Sequence, residues 1–215
     1  MDDDLLSWMA AMLPALGVSL RLTAVFVLLG IPYAVLLAVG SLHRNPLLRW
    51  PAIVLVECGR GIPALVVIYA VYFGLPQIGM TLEAFTSAAV ALALSYGSYV
   101  SGAFQSGLQA VPAGQHEAAA ALGLPPSATF FRVILPQAVR IVLPPLIGWT
   151  IVFFQATSLA YVVSVPELLS SAYAIAATNY MYLFALGLAA TLYAAICIPA
   201  SLLVDHLERR KARQP

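Results

Sequence analysis

Charge is what this chain lacks. Only 9% of its 215 residues are Asp, Glu, Lys or Arg, while 62% are hydrophobic. A soluble domain carries roughly 25% charged and 45–50% apolar residues. That shortfall excludes an ordinary water-solvated surface and points to a bilayer as the solvent. With a formal net charge of +1, no basic footprint exists for nucleic acid, and none is expected as a partner. Cysteine is scarce: Cys58 and Cys197 lie far apart in apolar contexts, with no CxxC pair, which excludes a disulfide framework and leaves two small hydrophobes. His43, His116 and His206 are too scattered for a metal site, so no metal is expected. No P-loop occurs, and the apolar stretches hold no carboxylate pair and no nucleophile with a base. The chain is therefore not read as an enzyme. It opens with Asp2, Asp3 and Asp4, not with the positive charge of a secretory signal, so the first apolar stretch is expected to remain as a membrane span.

What the chain has is long apolar runs. A helix needs about 20 mainly apolar residues to cross the hydrocarbon core. Five runs meet this: Leu22 to Gly40, with Pro32 inside; Ile62 to Met80; Ala84 to Leu108, rich in Ala, Ser and Gly; Ile141 to Val163; and Met181 to Val204. The second could instead begin near Pro51. The expected fold is all-α and integral to the membrane, with about five transmembrane helices in one domain over residues 1–215. Basic residues set the orientation. Arg44 and Arg49 follow the first run, Arg132 and Arg140 lie between the third and fourth, and Arg209, Arg210, Lys211 and Arg213 follow the fifth. With five spans these regions share one side, the cytoplasmic one. Glu83 and Glu167 fall opposite, with Asp2 to Asp4. The expected topology in the cell inner (plasma) membrane is multi-pass, N-terminus outside and C-terminus cytoplasmic. Trp8 and Trp50 fall at the interfaces that amphipathic rings prefer, and the basic tail is placed to anchor the last helix to anionic membrane lipid.

The stretch 110–140 is too polar and too broken by Pro112, Gly123, Pro125, Pro126 and Pro136 to span. It reads as a cytoplasmic loop holding two short helices, and its length suggests a function. Ala118 to Ala121 give one helix a small-side-chain surface that presses closely into a partner's groove. Gly123 permits the turn that ends it. Glu117 is read near its N-terminal turn, where negative charge is favoured.

This loop reads Glu117-Ala118-Ala119, three residues, Gly123, nine residues, then Val133, Leu135 and Pro136. It resembles the EAA motif of permease subunits in binding-protein-dependent ABC importers, EAA-x3-G-x9-I-x-LP, with Val133 in place of Ile. Val111-Pro112-Ala113-Gly114-Gln115 before it and Pro136-Gln137-Ala138-Val139-Arg140 after it resemble the polar amino-acid branch, the histidine- and glutamine-type permeases. So do Leu20 to Thr23, Arg60 to Leu65, Tyr72 to Pro76, Thr157-Ser158-Leu159 and Glu167-Leu168. The resemblance implies the type I ABC importer (MetI-like) fold and the uptake of an amino acid or similar small polar solute. It implies an ABC ATPase subunit dimer that binds ATP and Mg, a second permease in a homo- or heterodimer, and an extracytoplasmic solute-binding protein. No cofactor belongs to this chain. ATPase coupling would rest on Gly114, Gln115, Glu117, Ala118, Ala119, Gly123, Leu135 and Pro136, with His116 beside them.

Two further groups are singled out. Glu57 and Arg60 sit three apart, so they can pair on one helix face, and Gly61 and Pro63 break the helix after them into a structural elbow. Tyr99, Gln155, Thr157 and Ser158 fall near the midplane and are candidates for a substrate path. Their competing reading is helix packing through small residues and hydrogen bonds to backbone carbonyls. The chain also departs from the family. An acidic and a basic residue are expected inside the third span, where Gly102 and Gln105 stand, and Lys-Asp before Thr-Ser-Leu, where Gln155 and Ala156 stand. Either the solute needs no such charges, or a sister permease holds them. An opine or amino-acid derivative is the alternative cargo. A secondary transporter would need intramembrane ionisable groups or inverted repeats, and neither is seen.

Overall fold

Proline, glycine and small residues decide where the helices of this chain break and how closely they pack. The computed structural model describes the backbone of residues 2–212 and the side chains of residues 5–206. The expectations resting on the Asp2 to Asp4, Arg209, Arg210, Lys211 and Arg213 side chains lie outside the described residues.

Eight helical elements follow one another: α1 (Asp2–Ser41), α2 (Pro46–Gly61), α3 (Ala64–Ile78), α4 (Ala84–Gln109), α5 (Ala113–Ala121), α6 (Pro126–Val163), α7 (Leu168–Asn179) and α8 (Tyr182–Ala212). α1, α6 and α8 are long and apolar enough to cross a membrane, and α2 with α3 add a fourth crossing if that bent pair is one span. α4, at 26 residues, is about 39 Å long but less apolar, because protein and not lipid surrounds it. Its buried face includes Ser87, Ala88, Ala91, Ser95, Gly97, Ser98 and Ser101. In lipid no hydrophobic effect drives helices together, so small residues that let backbones approach do the packing. α1 crosses α4 in this way. A Cβ on Gly97 would lie 2.6 Å from Tyr33 Cδ1 and 2.9 Å from the Gly30 carbonyl. Beside the crossing Tyr96 is fully buried, its ring 5.3 Å from that of Phe26 and 5.5 Å from that of Phe153. Its hydroxyl, which needs a partner when buried, meets Thr150 Oγ1 at 2.9 Å.

Four expectations are corrected. The first membrane helix does not begin at Leu22 but continues back to Asp2, because the preceding residues also have an apolar side to bury: Met12 is fully buried in a cluster with Leu168 and Ala172 of α7. Ile62 to Met80 is not one straight run; α2 and α3 meet at 105°, because Ile62 is extended (φ −89°, ψ 126°) before Pro63, as a pre-proline residue prefers. The second short helix expected in 110–140 is not separate from the fourth span, for α6 runs unbroken from Pro126 to Val163. Pro136 is accommodated there by a π turn over Phe130–Ile134, in which Leu135 N–H donates to the Phe130 carbonyl. Such a turn reshapes the helix where the proline has no N–H to give. Finally, α7 lies between the fourth and fifth spans, where only a connection was expected.

Candidate functional site

α5 hangs from the end of α4 and returns the chain to α6. Its C-terminus closes as a Schellman turn: Gly123 N–H donates to the Ala120 carbonyl at 2.9 Å and Leu124 N–H to that of Ala119 at 3.1 Å. The turn needs a left-handed residue, and Gly123 supplies it at φ +70°. Ala119 is buried against the bundle, while Gly114, Gln115, Glu117 and Ala118 are exposed. Gln115 Oε1 accepts from Gln137 Nε2 at 3.1 Å, tying α5 to α6. Leu135 is half-buried and Pro136 exposed. Glu117 is the fifth residue of α5, and the first turn carries no acidic residue. Glu117 thus lies just past the N-terminal turn, where the macrodipole reaches it less, since its effect fades beyond the first turn. Two residues that the sequence did not single out complete this platform: Leu122 and Phe131 are 79% and 65% exposed. Leu122 directly before the helix-ending Gly123, and Phe131 directly before Arg132, were the available signal.

The elbow residues fall where the chain bends. Gly61 and Pro63 flank the 105° break. Glu57 and Arg60 are exposed, yet no ion pair joins them among the described residues, so the expected pairing is not formed. The bend leaves the C-terminal carbonyls of α2 in need of donors. Tyr99 takes one of them, its hydroxyl donating to the Arg60 carbonyl at 3.1 Å, with its ring 4.7 Å from that of Trp149.

The other midplane residues separate into two kinds. Thr157 is fully buried, and its hydroxyl donates to the Phe154 carbonyl at 2.6 Å. Ser158 Oγ bonds its own helix at Gln155 O, 2.8 Å away. Gln155 is exposed, and with Ser158, Tyr193 and Cys197 it lines an open groove of about 460 Å³ between α6 and α8. The structure thus does not bring Tyr99 and Gln155 together: one belongs to the α2 break, the other to the α6–α8 groove.

Sequence reasoning missed a polar knot around Glu167. This residue is fully buried and caps α7, accepting from Leu169 N and Ser170 N at 2.8 Å each and from the Tyr193 hydroxyl of α8 at 3.1 Å. Ser19 Oγ of α1 accepts from Leu168 N at 3.2 Å. Burial pushes the Glu167 carboxyl above its ordinary range, and the three donors pull against that shift. Its signal was Glu two residues before Leu169 and three before Ser170, an N-cap before a helical run.

The family described as binding-protein-dependent transport system inner membrane component matches residues 30–213. A probable amino-acid ABC transporter permease protein of Bacillus subtilis (strain 168), YckA, is 35% identical over 197 residues, covering 92% of this chain and 87% of that one. The L-cystine transport system permease protein TcyB of the same organism is 35% identical over 196 residues, 91% of this chain and 84% of its own. Among solved structures, an amino acid ABC transporter with histidines superposes at a TM-score of 0.86 with 30% identity, covering 96% of this chain and 97% of that one. The inward-facing MetNI methionine ABC transporter reaches 0.72 at 20% identity, over 93% and 97%, a likeness of fold.

Proposed function

The chain belongs to the family of binding-protein-dependent transport system inner membrane components, and from that premise we propose how it is energised and assembled. It is a permease subunit of an amino-acid ABC importer. ATP and Mg bind to a separate ATPase dimer. Each ATPase subunit receives α5 of one permease, a second permease completes the pathway, and a solute-binding protein delivers cargo on the other side. The N-terminus lies outside and the C-terminus in the cytoplasm, as the arginine placement favours. Binding of the loaded receptor and of ATP shifts the dimer between two states, an allosteric coupling through a shared interface.

The observation that carries the coupling is the shape of α5. It is held out by a Schellman turn, tied back by the Gln115–Gln137 bond, and presents Glu117, Ala118 and the apolar Leu122 away from the bundle. Work delivered to such a rigid lever moves α6 directly, because α5 packs against the π segment at Phe130–Ile134 of α6. Co-purification from gently solubilised native membranes tests this. A P-loop ATPase should accompany the native chain and be depleted for a Glu117→Lys, Gly123→Trp variant. A well-folded native chain that brings down no ATPase defeats the proposal. The cargo class has a second reading, an opine or amino-acid derivative, favoured by the four positions Gly102, Gln105, Gln155 and Ala156 where expected charges are absent.

A further inference from the structure

The turn between α1 and α2 borders a groove that none of the sites above uses. Val39, Leu42, Leu108 and Phe130, with His43 and Arg44, enclose about 420 Å³ at its mouth. Beyond Val39, Leu108 and Phe130 the groove continues as a slot lined by apolar side chains alone, reaching Val35, Phe104 and Leu135. It therefore follows α1 for about 10 Å, the rise of the seven residues from Val35 to Leu42. Charge enters at one point only. No acidic side chain lines either part, and the exposed Arg44 forms no ion pair among the described residues.

The turn that carries these cations is held in shape. Asn45 N–H donates to His43 Nδ1 at 3.0 Å, so the neutral ring keeps its proton on Nε2. Asn45 Oδ1 in turn accepts from Leu47 N–H at 3.0 Å and caps α2. A Cβ on Gly40 would lie 2.9 Å from Ala52 Cβ, which shows how closely α1 and α2 meet behind it. Leu47, Leu48 and Trp50 are exposed beside the turn. Uncovered apolar side chains around a tryptophan and a cation suit the headgroup level of a bilayer.

In a membrane an apolar groove alone selects nothing, because lipid tails are as apolar as its walls. The cations at the mouth decide what it holds. We infer that the groove binds one anionic phospholipid from the leaflet on the α5 side. Arg44 and the His43 Nε2–H hold its phosphate, and one acyl chain lies between α1, α4 and α6. The guanidinium fork matches two phosphate oxygens, and with no acid at the mouth nothing attracts the ammonium of a zwitterionic headgroup. The inference goes beyond the importer reading and needs only that the chain lies in a bilayer.

The test is native mass spectrometry of the full chain released from nanodiscs of equal parts phosphatidylglycerol and phosphatidylethanolamine. The native chain should retain one phosphatidylglycerol in preference to phosphatidylethanolamine. Arg44→Gln should lower that retention about fivefold, the effect of one basic group at a membrane surface, and Arg44→Lys should recover part of it. Val39→Trp fills the slot and leaves the cations in place, and should lower retention at least as far. Arg49→Gln, an exposed arginine outside the groove, should leave it unchanged. All these positions are exposed, so the melting temperatures should match the native one. Native retention by Arg44→Gln or by Val39→Trp overturns the inference, as does equal retention of the two lipids by the native chain. Equal loss in Arg49→Gln would mean a diffuse attraction. Displacement by glycerol 3-phosphate, which has no acyl chain, would mean a site for a soluble phosphate. Displacement by the purified ATPase subunit would make the groove part of that interface. Each of these three also overturns it.

Discussion

Glu167 and Glu117 stand beyond opposite ends of α6, and their surroundings have little in common. Glu167 is fully buried and has a donor for each of three lone pairs. Around it α1, α7 and α8 are tied by side chain, backbone and the Met12 cluster. Glu117 is exposed and makes no hydrogen bond among the described residues, on a nine-residue helix whose neighbours Leu122 and Phe131 are also uncovered. A buried carboxylate is tolerated only when its bonds are made, so the first end is complete within this chain. The second end leaves charge and apolar surface open, as the proposed contact with an ATPase subunit requires.

The largest effect on stability should come from breaking the completed end. Glu167→Leu removes both acceptor oxygens and strands the Leu169 and Ser170 N–H groups and the Tyr193 hydroxyl in a buried site. Each buried group left unpaired costs about 1–3 kcal/mol, so a loss of several kcal/mol is expected, read as a large fall in melting temperature in detergent. A variant as stable as the native chain would mean that water reaches the knot. Next comes Gly97→Val. Its side chain must displace Tyr33 and the Gly30 carbonyl, and overpacking of this kind costs about 1–3 kcal/mol, measured in the same way. Gly17, whose Cβ would meet nothing within 4 Å, is the control, and Gly17→Ala should be nearly silent.

A smaller effect sharpens the contrast through pH. Burial raises the Glu167 carboxyl above its ordinary value of 4.5, so the folded state holds this proton more tightly than the unfolded one. The associated stability is complete below about pH 4.5 and is lost as pH rises through the folded pKa, with a slope of at most about 1.4 kcal/mol per pH unit. Thermal unfolding followed from pH 4 upward should show this decline in the native chain and a flatter profile in Glu167→Gln. A native profile that instead rises with pH would reverse the assignment.

Most of this contrast was legible in the sequence at the α5 end and little of it at the other. The helix ending at Gly123 depends on local chemistry, a left-handed residue after an alanine run, and short-range signals of that kind survive in a single sequence. Glu167 makes its decisive contact with Tyr193, twenty-six positions away, and Ser19 reaches Leu168 across most of the chain. No spacing rule reports such pairs. The break between α2 and α3 shows the middle case: Gly61 and Pro63 announced a bend, yet its 105° angle and the Tyr99 hydroxyl that steadies it depend on α4. α4 shows why hydropathy alone misleads. The helix most enclosed by protein is the least apolar of those long enough to span, because small and hydroxylated residues serve close packing better than leucine does.

The smallest effect on stability belongs to the open end. Leu122→Ser with Phe131→Ser removes two apolar side chains that are mostly in contact with solvent, 79% and 65% exposed, and surface changes of this sort alter stability by no more than about 0.5 kcal/mol. The melting temperature should therefore be unchanged. Association should not be, because large side chains buried at the centre of an interface carry much of its energy, about 2 kcal/mol or more for each anchor. The ATPase retained by the double variant should fall by at least tenfold while the purified permease stays folded and monodisperse. That pairing separates the two ends: the same deletion of contact surface that unfolds the protein around Glu167 leaves the fold intact around Glu117 and severs the partner instead. A double variant that melts early would place Leu122 and Phe131 inside the permease's own packing. One that melts normally and keeps its ATPase would move the docking surface elsewhere on α5, to the Glu117 and Ala118 face.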